Sequence, residues 1–280
     1  MTSDEERLAG YVAAWRSAVD DTLLLLRGLD DDDWARPTDL PGWDVRAVAA
    51  HLAHLEAELA GFEQQPVEVP ELDHLRSPMA YYTERGPIAR AAWTPAQIVD
   101  ELERAADVRF RALQADPPTD GSGAPPITPG DIGWSWEVLL RNRPLDVWMH
   151  EQDIRRAVRR PGGLDTAGAA HTAAVFATSF GFSVGKRVAP PAGTTAVLDV
   201  SAVSPVQPVH RAVRIDPDGR AVPFEPADDG AAAPTVHLRM GFEPYILLCG
   251  GRRAVDDVPV QVSGDQELGR RILQALAVTP

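Results

Sequence analysis

Asp146 and His150 stand four residues apart in DVWMHEQDIRRAV, and His51 and His54 stand three apart in VRAVAAHLAHLEAEL. Imidazoles and carboxylates are the side chains that bind divalent cations and move protons at neutral pH. Each residue of an α-helix turns about 100° from the last, so residues four apart share a face. With Val147, Ile154 and Val158 as the apolar stripe of the later segment, His150 falls roughly 60° to one side and Asp146 roughly 100° to the same side. In the earlier segment Val45, Val48, Leu52, Leu55 and Leu59 form the stripe. His51 lies about 100° from its centre, whereas His54 lies about 160° away and is expected to face water. If the two helices are neighbours, His51, Asp146 and His150 converge. Two imidazoles and a carboxylate are a catalytic zinc set with a fourth position open for water or a substrate atom, and they also suit nickel, iron(II) or manganese. The ordinary alternative is a solvated or salt-bridged Asp–His pair, with Arg143 the partner of Asp146. Asp153, a further 60° or so beyond His150, is expected to pair with Arg156 or Arg46. Glu56 and Glu151 are conceivable bases that nothing singles out. Cys249, within YILLC, reads as packing, and Trp34 and Trp43 as core or loop anchors.

The elements that must position these residues begin with a helix over 4–28, with apolar positions at Leu8, Val12, Trp15, Val19, Leu23 and Leu26. The run Asp30–Asp33 followed by Pro37, Pro41 and Gly42 breaks it. A second helix spans about 43–62, and a Pro- and acid-containing loop follows. A third helix covers 94–114 with Thr94 as N-cap and Pro95 at its first position, and 116–130 is a Pro/Gly/Asp surface loop. A fourth helix covers 134–159, with a break expected near Pro144. Four long helices so connected predict a four-helix bundle. A fifth helix is expected over 165–187. Beyond PPAG the pattern changes to short alternating segments, TTAVLDVSA, HRAVRID and PTVHLRM, with DPDG at 216–219 as a turn. A helix near 241–250, the strand VPVQVSG and a last helix over 265–277 complete the expected α+β class. The expected domains are 1–189 and 190–280.

The chain has 280 residues, an apolar fraction of 44%, a charged fraction of 24% and a net charge of −14. That acidity, without a basic patch, argues against a nucleic-acid or anionic-membrane partner. One cysteine rules out an intramolecular disulfide. The N-terminus has neither a basic n-region nor an apolar h-region, and runs such as LLLL at 23–26 are too short to span a bilayer, so a cytoplasmic location is expected. Lys186 is the only lysine, and abundant Arg, Ala, Gly and Pro indicate a GC-rich genome.

The segment WARPTDLPGWDVRAVAAHLA, carrying Trp34, Trp43 and His51, resembles the N-terminal signature of the mycothiol-dependent maleylpyruvate isomerase family, a branch of the DinB-like metal-binding bundles. DVWMHEQDIRRA resembles that family's second metal motif. GFEPYILLCGGRR followed by VQVSGDQELGRRIL resembles its small C-terminal α+β domain, itself similar to sterol carrier protein folds. The resemblance covers nearly the whole chain in the same order. It implies a zinc held by His–Glu–His, with His51 and His150 as the outer ligands. Asp146 stands where the isomerase has Glu, one methylene shorter, which puts metal position, occupancy and substrate in question. It implies that Arg252 is the family's C-terminal arginine, a catalytic residue that faces the metal pocket and whose fork suits a carboxylate. The alternative is a surface arginine beside Arg253. It implies mycothiol, the small thiol of actinobacteria, as co-substrate. The thiolate would add to a conjugated cis double bond, which rotates and eliminates to the trans isomer, or would transfer to another electrophile. The expected partners are a small-molecule electrophile and a low-molecular-weight thiol, with the protein a monomer. Two other classes remain: a zinc-dependent hydrolase, and a non-catalytic metal- or lipid-binding module, which would carry an apolar tunnel in residues 191–280.

Overall fold

The computed structural model describes residues 2–204, 206–225 and 233–279. The chain divides into two compact units, residues 1–163 and 164–280. The first unit holds α1 (Asp4–Arg27), α2 (Val45–Leu59), α3 (Pro78–Ala89), α4 (Pro95–Ala115) and α5 (Trp136–Ala157). Each start is set by a side-chain cap. Ser3 and Glu6 form a capping box on α1, Asp44 caps α2, Thr94 and Gln97 box α4, and Ser135 caps α5. The stripe of α1 is buried at the expected positions, Leu8, Val12, Trp15, Val19, Leu23 and Leu26.

Helices α1, α2, α4 and α5 form the bundle, with α1 packed on α5 and α2 on α4. α5 runs unbroken through Pro144, contrary to the break expected there; the residues on either side of it, Arg143 and Leu145, are buried and held by packing. Helix α3 lies in the stretch expected to be a loop. Its PMAYYTERGPIA sequence has Gly86 and Pro87 in its interior, so neither propensity nor a clear stripe announces it. It packs on α2, and Gly86 permits the approach: a Cβ there would stand 2.7 Å from His54 Cβ and 3.1 Å from the Ala50 carbonyl oxygen.

The second unit holds α6 (Ala167–Phe182), a π-turn over Ser183–Val188, β1 (Thr195–Val200), β2 (Val209–Ile215), β3 (Ala221–Pro223), β4 (Val236–Met240), α7 (Phe242–Cys249), β5 (Val260–Gly264) and α8 (Gln266–Gln274). The sheet order is β3-β2-β1-β4-β5, with β1 and β4 parallel and the other pairs antiparallel. The class is α+β, as expected. DPDG is the turn between β2 and β3, with Gly219 at φ 77°. The boundary falls after Gly163 and not near 190, because α6 packs on β2, β3 and α7. Its small, nearly unbroken apolar composition (AGAAHTAAVFATSFGF) carries no sign of which layer it covers.

The close approach at Gly86 has a measurable consequence. Gly86→Ala should lower unfolding free energy by about 1–3 kcal/mol through overpacking, despite alanine's better helix propensity. Gly10→Ala, whose Cβ meets nothing within 4 Å, should instead gain about 0.5–1 kcal/mol. Urea titrations of both variants test the contrast, and a stabilising Gly86→Ala would disprove the tight contact.

Candidate metal centre

α2 supplies His51 and α5 supplies Asp146 and His150, and these helices are neighbours in the bundle. One donor atom from each of the three lies within 4.8 Å of the others. His51 Nε2 is 3.8 Å and His150 Nε2 is 3.5 Å from the Asp146 carboxylate. The two rings meet edge to face with centroids 4.9 Å apart. Ligands of a tetrahedral zinc with bonds near 2.0–2.1 Å sit about 3.3 Å from one another, so the set closes on an ion with small side-chain adjustments. His51 also fits the group. Among the described residues its Nδ1 is buried without a hydrogen-bond partner, and its Nε2 stands beyond hydrogen-bond length from Asp146. Ligation at Nε2 would give that nitrogen a partner, while the Nδ1–H would stay unmet at a cost of about 1–3 kcal/mol.

The surroundings fix the rings. His150 Nδ1 donates to Asp153 Oδ2 at 3.1 Å, which leaves Nε2 with its lone pair toward Asp146 in the neutral ring. Asp153 is wholly buried and also accepts from Arg156 at 2.5 Å, while Arg156 reaches Asp39 at 2.7 Å. The expected Asp153–Arg156 pair is present, but Asp153 does not point away from the core: it orients His150. Arg46 instead donates to the Trp93 carbonyl oxygen. The Trp43 ring lies 5.0 Å from His51 and 6.0 Å from His150, centroid to centroid. Its Nε1 donates to buried Glu84 of α3 at 2.8 Å, and His74 reaches the same Glu84 oxygen at 3.2 Å. Trp43 is thus a wall of the candidate centre, a part that its apolar character alone did not signal.

Asp146 is the exposed member. Its side chain is 22% accessible, against 2% for His51 and 8% for His150. Arg143 Nη1 donates to Asp146 Oδ2 at 2.8 Å, so the salt bridge weighed as the ordinary reading coexists with the cluster. Arg143 also donates to Glu56 Oε1 at 2.7 and 3.1 Å, Arg109 donates to Glu56 Oε2 at 2.8 Å, and Trp15 Nε1 donates to Oε1 at 2.8 Å. Burial pushes the His51 pKa down, against the pull of Asp146. For His150 burial acts the same way, but Asp146 and then Asp153 outweigh it and raise the pKa. Burial would raise Asp146, yet Arg143 and then His150 hold it well below the usual carboxylate range.

The remaining sequence candidates separate cleanly. His54, expected to be wet, is buried because α3 covers its side of α2. It contacts Gln64 at 2.8 Å and Arg90 at 3.2 Å, and burial with Arg90 pushes its pKa down to about 4. Glu56 is a poor base: burial opposes its charge, but Arg143 and Arg109 prevail and lower its pKa. Glu151 is buried and pushed up to about 7 by that burial, with Oε1 accepting from Arg155 at 2.6 Å. Cys249 is buried beside Tyr245, and burial pushes its thiol up, as packing requires. Arg252, in the second unit, is buried and not a surface residue; its Nη1 donates to the Gly250 carbonyl oxygen at 2.5 Å, just past α7. A cleft of about 190 Å³ in that unit is bordered by Arg253, Asp256 and Arg270 as well as Leu248 and Leu273. No described helix is long and apolar enough to cross a membrane.

Residues 15–155 match the family model for the mycothiol maleylpyruvate isomerase N-terminal domain. The chain belongs to that family. A crystal structure of the mycothiol-dependent maleylpyruvate isomerase shares its fold with a TM-score of 0.54 at 17% identity, over 94% of this chain and 96% of that one. A histidine-to-alanine variant of that isomerase gives a TM-score of 0.51 at 17% identity and the same coverage. No curated protein sequence matches the chain.

A proton on His150 must leave before an ion takes Nε2. Because the pKa of this histidine is raised, metal uptake should be complete at alkaline pH and weaken as pH falls through that value, by about tenfold per unit for one displaced proton. Chelator competition between pH 5.5 and 8.5 measures it. Affinity that stays flat below neutrality would place the ion elsewhere.

Proposed function

We propose that this protein activates a low-molecular-weight thiol, mycothiol, on a divalent metal held by His51, Asp146 and His150, for addition to a small electrophile. Zinc is the metal that this donor set favours. The observation that carries the reading is the convergence, within 4.8 Å, of three donor atoms from two distant segments. Membership of a family named for a mycothiol-dependent reaction supports it.

A bound dication supplies the positive charge that makes thiolate stable against thiol near neutral pH. The chain's own residues supply the rest. Burial keeps His51 neutral, with no proton to displace. Asp153 turns His150 so that Nε2 faces Asp146. Trp43 packs on both imidazoles and keeps water from their faces. Asp146 and Glu56, both lowered in pKa, do not accept a proton at neutral pH. The thiol proton therefore leaves to solvent on the accessible Asp146 side. Cis–trans isomerisation by addition and elimination, and transfer of the thiol to an electrophile, both use this activated thiol; the chemistry of the acceptor decides between them.

Arg252 is assigned to a carboxylate of the thiol or its acceptor, because its planar fork suits that group. Its bond to the Gly250 carbonyl oxygen offers a structural role instead, and the two are separable.

Zinc analysis of the wild type beside His51→Ala tests the centre: stoichiometric metal, lost in the variant, is expected. Adding mycothiol to the zinc-loaded protein should lower the apparent thiol pKa by several units; an unshifted thiol would exclude the reading. Arg252→Ala should weaken mycothiol binding about tenfold with zinc content unchanged. Unaltered thiol binding with a lower melting temperature would assign Arg252 to the end of α7 alone.

A further inference from the structure

We propose that Arg143 sets the charge of the candidate centre, so that the open position of the ion selects an anion over a neutral molecule. This rests on the reading that His51, Asp146 and His150 hold a divalent metal. A carboxylate ligand ordinarily cancels one charge of such an ion. Here the Asp146 carboxylate already accepts from Arg143 Nη1 at 2.8 Å. Arg143 is only 1% exposed, so little water screens the pair. Behind it Glu56 is shared between Arg143 and Arg109, all three buried. Two carboxylates and two guanidiniums cancel, and His51 and His150 bring no negative charge when they act as ligands. On the far side of His150, Asp153 and Asp39 share Arg156, which leaves one negative charge beyond that ring and none added by Asp146. Little of the charge of a bound dication is therefore neutralised by Asp146.

Two consequences follow with opposite signs. Arg143 weakens metal binding, because a fixed guanidinium stands next to a ligand of the cation. It strengthens binding of an anion in the open position, because the excess positive charge falls there. A purely positional role, in which Arg143 only aims Asp146, predicts the reverse for the metal: removing it would loosen the ion.

The test uses the full chain loaded with cobalt(II), whose visible spectrum reports the coordination shell, with azide as the anionic probe and acetamide as the neutral one. In the wild type azide should perturb the spectrum at about a hundredfold lower concentration than acetamide. Arg143→Gln leaves Glu56 bonded to Arg109 and Trp15. It should bind cobalt about tenfold more tightly by chelator competition and azide about tenfold more weakly. Looser cobalt binding with unchanged azide affinity in this variant would overturn the proposal in favour of simple positioning. If circular dichroism shows that this variant does not fold, Arg143→Lys, which keeps the charge, decides: cobalt and azide affinities near those of the wild type support the proposal, and looser cobalt binding with unchanged azide affinity overturns it. No cobalt uptake by the wild type overturns the metal reading itself, and this inference with it.

Discussion

The carboxylate of Glu56 joins all four helices of the bundle. It sits on α2 and accepts from Trp15 of α1, Arg109 of α4 and Arg143 of α5. The Arg109 guanidinium also lies 4.5 Å from the centroid of the Trp15 ring, so the cation is held from two sides. A buried ion cluster of this kind adds little net stability over apolar packing, because desolvation offsets much of the attraction. Removing one partner, however, costs about 3–5 kcal/mol. Its effect is to fix register. Only one sliding position of α2 against α5 lets Glu56 meet Arg143, and that same position sets His51 opposite Asp146 and His150. The bundle's alignment and the candidate centre are thus one constraint.

The surrounding shell extends this constraint outward. Asp153 and Arg156 tie His150 to Asp39 in the loop before α2. Glu84 of α3 ties Trp43, in the same loop, to the two imidazoles. Each candidate ligand is therefore oriented by a neighbour: Asp146 by Arg143 of its own helix, itself held by Glu56 of α2, His150 by Asp153 one turn on in α5, and both histidine rings by Trp43 from the loop before α2. Such partners hold tautomer and direction, which matters because an imidazole turned by one ring flip offers the wrong nitrogen.

Helical periodicity made His51, His150 and Asp146 legible, because each sits on a flank whose angle follows from sequence position alone. The same arithmetic failed for His54. It assumed one buried stripe on α2, whereas α2 is covered by α4 and α5 and, on the His54 side, by α3. That third cover was invisible: Gly86 and Pro87 read as a loop, yet the missing Cβ of Gly86 is what lets the two helices touch. Asp153 was misdirected for a related reason, since the loop carrying Asp39 covers a face that periodicity assigns to solvent. The domain boundary was missed because α6 is made of small apolar residues, which suit a bundle and a sheet equally. Alternation identified β1, β2, β4 and β5, which appear where the pattern placed them, but not β3, whose three residues are too few to alternate. In each failure the missing quantity was a tertiary partner, not a local preference.

The distribution of burial around the cluster bears directly on what it can admit. Were all three donors sealed, an ion would be structural, with no room for a reacting ligand. Were all three wet, their pKa values would stay near those of free side chains and the cluster would be an ordinary surface grouping. Instead two imidazole donors are buried against an indole, and the carboxylate is the donor most open to water, held by a guanidinium on its inner side. A ligand arriving along that side meets the least obstructed donor first and displaces water rather than protein. The asymmetry follows from helix geometry: His51 lies deep between helices, whereas Asp146 stands one turn before His150 on α5 and farther round the flank of its stripe. A site that needs both a dry metal shell and an entrance can be built this way from two ordinary amphipathic helices, provided something fixes their register, and in this chain Glu56 does.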